Sequence, residues 1–264
     1  MVAASGPVNS MRSFRGMDST LEKGLRVLDY LVQAPGPVRL STLAQDLGLQ
    51  KSNAHRTLAT LVASNYAVQD AETGMYQPSL KLFELGAKVL AGHPVRKAAA
   101  PYFQKLQSEL GETVNLYVLD GDSVLVVEKL ISPRPIRFSS RPGSRLPVPA
   151  SAAGRVMLAF HEDPEGLYDR SLGVVSLHPD TKIVRDDVLS GLPSVRLAGY
   201  FEADPDWKPG IFSIAAPILD EDRRVLGAIG ISGPVERYSP EKRRQIIEAL
   251  MSVTAMISET GALG

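Results

Sequence analysis

Seven hydrogen-bonding side chains crowd a ten-residue stretch: Lys51, Ser52, Asn53, His55, Arg56, Thr57 and Thr60. Between Tyr30 and Gln69 the only acid is Asp46, whereas Arg39, Lys51 and Arg56 are cationic, so the local field is positive. Arginine pairs with guanine and asparagine or glutamine with adenine in a major groove, while lysine, serine and threonine hold phosphate oxygens. Ser52, Asn53 and Arg56 are the candidate readers or clamps. Lys51 and the amides at a helix start suit a phosphate. Ser41, Gln50, His55, Thr57 and Thr60 extend this candidate nucleic-acid surface, and Thr73 beside Gly74 would reach the neighbouring backbone or minor groove. His55 alone reads equally well as a neutral side chain packed beside a turn. The whole stretch has a plainer reading, a solvated helix used for protein contact.

A second place for chemistry is Ala150-Ser151-Ala152-Ala153-Gly154, where very small side chains stand between a proline-rich loop, Arg141 to Pro149, and a helix. Bare amides there can approach an anion and the helix dipole favours it, so a carboxylate would suit the spot. The competing reading is that small residues merely let the helix pack closely. Catalytic signatures are missing: no Gly-x-Ser-x-Gly elbow, no phosphate-binding loop, no Gly-x-Gly-x-x-Gly and no His-Glu-x-x-His. His55, His93, His161 and His178 have no metal-ligand spacing. Glu162 and Asp163, beside Pro164, read as a solvated turn, and Trp207 reads as a loop anchor or a lid. Ser151 with a His and an Asp would make a hydrolase, and an enzyme of small carboxylic acids with an attached regulatory head is the alternative from another class. No cofactor is expected.

These residues need elements to hold them. Ser19 and Glu22 have capping-box spacing ahead of the apolar series Leu21, Leu25, Leu28 and Val32. Ala34-Pro35-Gly36-Pro37 ends that helix. Ser41 is placed to cap a second, short helix closed by Gly48, and a third runs from about Lys51 to Ser64 with Ala54, Leu58, Leu61 and Val62 on its packed side. Asp70 to Gly74 lies between two short strand-like runs and predicts a hairpin. Three helices and a hairpin spell a winged helix-turn-helix over residues 18–79, behind a small, polar, disordered arm at 1–17. A helical linker is expected over 80–110, broken at His93-Pro94. From Gly111 to the end the pattern is α+β. Hairpin partners Thr113 to Leu119 and Ser123 to Lys129 come first, then a helix with Val156, Met157, Leu158 and Phe160. The strands Ile211 to Leu219 and Val225 to Ser232 follow, and a last helix opens at Ser239-Pro240.

Composition bounds the classes. The chain has 264 residues, no cysteine, and 29 Lys+Arg against 29 Asp+Glu. Thiol chemistry is excluded, and nucleic-acid contact must come from a local patch rather than a basic body. No apolar run approaches the ~20 residues of a membrane span, and the start has no signal-peptide core; a cytoplasmic protein is expected.

In order along the chain, Leu40-Ser41-Thr42-Leu43-Ala44-Gln45-Asp46-Leu47-Gly48-Leu49, Lys51-Ser52-Asn53-Ala54-His55-Arg56-Thr57-Leu58, Gly111-Glu112-Thr113-Val114-Asn115-Leu116, Gly143-Ser144-Arg145-Leu146-Pro147, Ile214-Ala215-Ala216-Pro217 and Ile231-Ser232-Gly233-Pro234 resemble IclR-type bacterial transcriptional regulators. The resemblance implies a winged helix-turn-helix, a linker helix and a GAF-like effector domain with an antiparallel sheet. It further implies a dimer or dimer of dimers on double-stranded operator DNA, and a small-molecule cavity between the sheet and the segment around Ser151. It nominates Ala152, Ala153, Ser213 and Ser232 as lining. Relatives often carry cysteine at Ser213, acids at Ala203 and Pro205, and a second serine at Gly230; Asp204 and Asp206 keep some acidity nearby. A threonine-rich segment before Gly199-Tyr200 is replaced by Ser176 to Thr181. With Leu146, Met157 and Phe212 nearby, the expected effector is a partly hydrophobic organic acid, aromatic acids included.

Overall fold

A computed structural model describes residues 18–135, 141–175, 181–203 and 209–259. The expected arm at 1–17, Asp204, Pro205, Asp206 and Trp207, and residues 176–180 lie outside the described residues. The chain divides into two compact units that part between Ala91 and Gly92.

In the first unit, α1 (Ser19–Gln33), α2 (Leu40–Asp46) and α3 (Lys51–Ala63) precede the antiparallel hairpin β1 (Ala67–Gln69) and β2 (Tyr76–Pro78), and α4 (Lys81–Gly92) follows. The core is Val27, Leu31, Val38, Leu43, Ala44, Ala54, Leu58, Ala67 and Tyr76. One expectation about α1 needs correction. Its cap is Asp18, whose carboxylate accepts from Thr20 N at 2.8 Å and Leu21 N at 3.2 Å; Ser19 is already helical. The core face is Val27 and Leu31, while Leu21, Leu25 and Val32 stand 61%, 46% and 55% exposed. Two apolar stripes share this helix, and only the Val27–Leu31 one meets the core. Helix α4 buries no residue at all; Phe83 and Val89 on it and Leu80 just ahead of it are largely exposed.

The second unit begins with α5 (Pro94–Leu110), which starts two residues ahead of expectation because Pro94 sits in its first turn, where a missing N–H costs nothing. A six-stranded sheet has the order β5-β4-β3-β8-β7-β6. Its strands are β3 (Thr113–Asp120), β4 (Ser123–Leu130), β5 (Arg145–Leu146), β6 (Phe201–Glu202), β7 (Ile211–Leu219) and β8 (Val225–Pro234). Every pairing is antiparallel. Helices α6 (Ala152–Ala159), α7 (Pro164–Ser171) and α8 (Arg185–Ala198) cover one face, and α5 and α9 (Pro240–Glu259) the other. Alternation sorts the strand residues: Tyr117, Ala215 and Ala228 share a cluster with α6 and α8, and Val95 of α5 lies against Gly227 on the opposite face. A buried carboxylate locks one end of the sheet, Glu112 accepting from Arg237 Nε at 2.7 Å and Nη2 at 2.6 Å, with Arg134 beside it at 3.3 Å.

Candidate functional site

Helix α3 has two unlike faces. Ala54 and Leu58 are buried, with Leu61 and Val62 against the same core. Gln50, Lys51, Ser52, His55, Arg56 and Thr60 are exposed, and Asn53 and Thr57 half-buried. The packed side fixes the helix, so the polar side points outward by default. Gln50 occupies the N-cap position but makes no side-chain cap bond. The first-turn amides therefore face outward with the positive end of the helix dipole and Lys51 beside them, the local chemistry of a phosphate seat. Arg39, Lys51 and Arg56 have no ion pair among the described residues. The nearest acid in sequence, Asp46, is engaged by the Tyr30 hydroxyl, whose own ionisation that bond pushes up to about 12.

Other nominated contacts are placed differently. Ser41 caps nothing: Arg39 holds the N-cap position of α2 and Ser41 lies exposed within its first turn. Thr57 and Thr60 donate their hydroxyls back to Asn53 O and Arg56 O, both at 3.0 Å. Thr73 is turned inward at the wing tip, its hydroxyl donating to Asp70 at 2.7 Å and its amide donating to the same carboxylate oxygen. Those bonds hold Asp70 below the usual carboxylate range, and Glu72 is exposed beside it. Two carboxylates at the tip repel a phosphate backbone, so Thr73 as it stands is a turn residue rather than a DNA donor.

In the second unit, Ser151 is 2% exposed, donates to Pro147 O at 2.7 Å and accepts from Gly154 N at 3.1 Å. It is a helix cap with its hydroxyl proton committed, neither a nucleophile nor an open anion donor. Gly154 explains the small residues: a Cβ there would lie 2.2 Å from Val148 O. The close-packing reading holds for this turn. Ala152, Ala153 and Met157 are buried in the cluster between helix and sheet, and half-buried Leu146 packs against it from β5.

On the facing sheet, Ser213 and Ser232 are cross-strand partners, and Asn115 Nδ2 donates to Ser232 Oγ at 3.3 Å. Phe212 is the exception among the nominated lining. Its ring stacks on Tyr238 at 4.5 Å, beyond the strand from Ser213, because neighbours in a strand point to opposite faces. Asp206 is outside the described residues. The sequence reading missed Asn115 and Tyr117, which alternate with Thr113 on β3 and turn a polar edge toward α6; their period-two spacing was the available signal. It also missed Arg155, whose guanidinium lies 5.2 Å from the Phe201 ring centre and whose basicity burial lowers. Among the described residues no group of three or more metal-binding side chains occurs, and no helix is long and apolar enough to cross a membrane.

Comparison with known proteins places this geometry. Residues 20–71 match the family described as the IclR helix-turn-helix domain, and residues 87–259 the family described as the bacterial transcriptional regulator IclR C-terminal domain. The chain is 30% identical over 247 residues to the transcriptional repressor IclR of Escherichia coli, covering 90% of each protein. It is similar to the crystal structure of Thermotoga maritima IclR, with a TM-score of 0.73 and 27% identity over 92% of this chain and 98% of that one. An IclR homologue from Microbacterium hydrocarbonoxydans complexed with 4-hydroxybenzoate matches in fold, with a TM-score of 0.75 and 24% identity over 93% and 99% of the two chains.

Proposed function

Because the chain belongs to the IclR family of bacterial transcriptional regulators, we propose how it works: α3 of two protomers occupies successive major-groove half-sites of double-stranded operator DNA, and a small organic acid held between α6 and the sheet alters the grip. One observation carries the DNA half. The first turn of α3 is uncapped, cationic and exposed while the helix's other face is anchored in the core. Arg56 and Asn53 read base edges, and Lys51 and Ser52 seat a phosphate.

Homo-oligomerisation, as a dimer or a dimer of dimers, is supported by apolar surface in the same unit. The α1 residues Leu21, Leu25 and Val32, Leu80 just ahead of α4, and the α4 residues Phe83 and Val89 are exposed, and exposed apolar patches mark association sites. Helix α5 acts as part of the sensor. Val95, Ala99, Phe103, Leu106 and Leu110 are buried, and its C-terminal end is tied down by Lys242 at Leu110 O and by Gln107 at Ile131 O. A signal then crosses to the DNA-binding unit at Gly92-His93, the break between α4 and α5.

The effector half rests on buried Asn115 and Ser232 and half-buried Ser213 opposite Ala152 and Ala153, which give an acid hydrogen-bonding partners in an apolar frame. The fold's occurrence with bound 4-hydroxybenzoate in a homologue supports aromatic acids as first probes. The test is fluorescence anisotropy on the DNA upstream of the protein's own gene, with and without a panel of acids. Operator affinity should fall steeply with salt, log affinity against log salt having a slope of about −0.9 per phosphate neutralised, and at least one acid should shift it about 5–150-fold. A flat salt response sinks the DNA reading, and indifference to every acid sinks the effector reading.

A further inference from the structure

Tyr117 stands on β3 where its pairing with β4 changes register between Leu116 and Tyr117, leaving Val127 as an extra residue. Bulges of this kind re-aim side chains. Tyr117 is only 4% exposed and belongs to the cluster between the sheet and α6. Its ring crosses the neighbouring strand and lies on the bare backbone of Gly230. A Cβ at 230 would sit 2.8 Å from Tyr117 Cε2, 3.5 Å from Tyr117 Oη and 3.1 Å from Ile214 O. Gly230 is therefore glycine because the phenol occupies the space a side chain would take. Burial alone pushes the phenol's ionisation up, and among the described residues nothing pairs with its hydroxyl. A hydroxyl that no protein group engages is free to donate to an oxygen brought in from outside.

The surroundings say what that partner is. Ser213 and Ser232 face each other across β7 and β8, and Ala215 and Gly230 are the next pair along the same face. A row of hydroxyls thus stops at Gly230, and the hydroxyl that continues it comes from Tyr117 on the adjacent strand. Donors here are neutral, and the walls contributed by Ala152, Ala153 and Met157 are apolar. We propose that Tyr117 is a specificity-determining residue of this chain's effector site: its phenol donates to a carboxylate or hydroxyl oxygen of a compact organic acid, and its ring limits how far that acid reaches along the sheet. This rests on the effector reading above.

The test uses the full-length protein, titrated calorimetrically with 4-hydroxybenzoate, benzoate and pyruvate, and compares wild type with Tyr117→Phe, which removes one oxygen and nothing else. For the probe the wild type binds best, Y117F should raise Kd by about ten-fold or more, the worth of one hydrogen bond to a charged group, with operator affinity in the absence of acid unchanged. The melting temperature of ligand-free Y117F should equal or exceed that of the wild type, since the hydroxyl has no partner to lose. Equal Kd in the two proteins overturns the assignment and leaves the effector reading intact. A fall in melting temperature of more than about 3 °C, roughly 1 kcal/mol for a domain of this size, shows the hydroxyl is held by the protein itself and overturns it too. A wild type that binds none of the three acids, and whose operator affinity none of them shifts, overturns both.

Discussion

Helices α3 and α6 both open on short polar or small residues after a turn-rich loop, yet their first turns are put to opposite uses. In α3 the N-cap residue Gln50 leaves the first-turn amides open and the turn is exposed. In α6 the N-cap Ser151 closes on Gly154 N and Pro147 O, and Ala152, Ala153 and Gly154 are buried. The same backbone electrostatics are present at both ends. What differs is whether the chain supplies its own acceptor. A helix start left without one is available to a phosphate; one that is capped and packed is a rigid wall. In the proposed function the two helices divide along this line, α3 for contact and α6 for framing the effector site.

Breaking the wall should have the largest effect. Gly154→Val forces a side chain against Val148 O, and overpacking of about 3 kcal/mol should lower the melting temperature by roughly 6–12 °C in calorimetry; an unchanged melt would show that the loop gives way freely. Next comes the open end. Arg56→Ala should weaken operator binding by about 10–100-fold, from the 1–3 kcal/mol of a base-reading arginine, while effector titrations stay as in the wild type; undiminished gel shifts would remove Arg56 from the interface. The comparison is sharpened by giving α3 what α6 has. Gln50→Asp supplies a cap and a charge suited to the dipole, so the protein should gain about 0.5–1 kcal/mol of stability and lose operator affinity because the carboxylate takes the phosphate's place. Gains in both would contradict the phosphate seat. Smallest is Ser151→Ala, which should cost about 1 kcal/mol by chemical denaturation and leave DNA binding alone.

Much of this was legible in the sequence, and the misses have physical reasons. Helix α3, its packed and open faces, the wing and the strands β3, β4, β7 and β8 follow from periodicity and turn chemistry. The caps did not: Asp18 and Ser19 are both good N-caps, one position apart, and only the start of backbone hydrogen bonding chooses between them. Ser41 has the right type for a cap, but α2 begins before it. The Leu21–Leu25–Val32 stripe is as regular as the Val27–Leu31 face that is buried, and helical period cannot say which of two apolar faces meets the core. Phe212 was separable from Ser213 by strand parity alone. Tyr117 and Gly230 were not, being 113 positions apart and joined only by the β3–β8 register.

Residue type and spacing by themselves determined a cationic, acid-poor reading helix, a winged unit ahead of an α+β unit, and a chain free of thiol chemistry. Those are local properties, carried by side-chain charge and backbone period within some twenty residues. Tertiary structure decided which apolar stripe stays bare, that Ser151 and Thr73 spend their hydroxyls within the protein, and that the phenol of Tyr117 fills the gap over Gly230. Each of those depends on strand register and helix approach, which sum contacts from the whole chain and are written in no single segment of it.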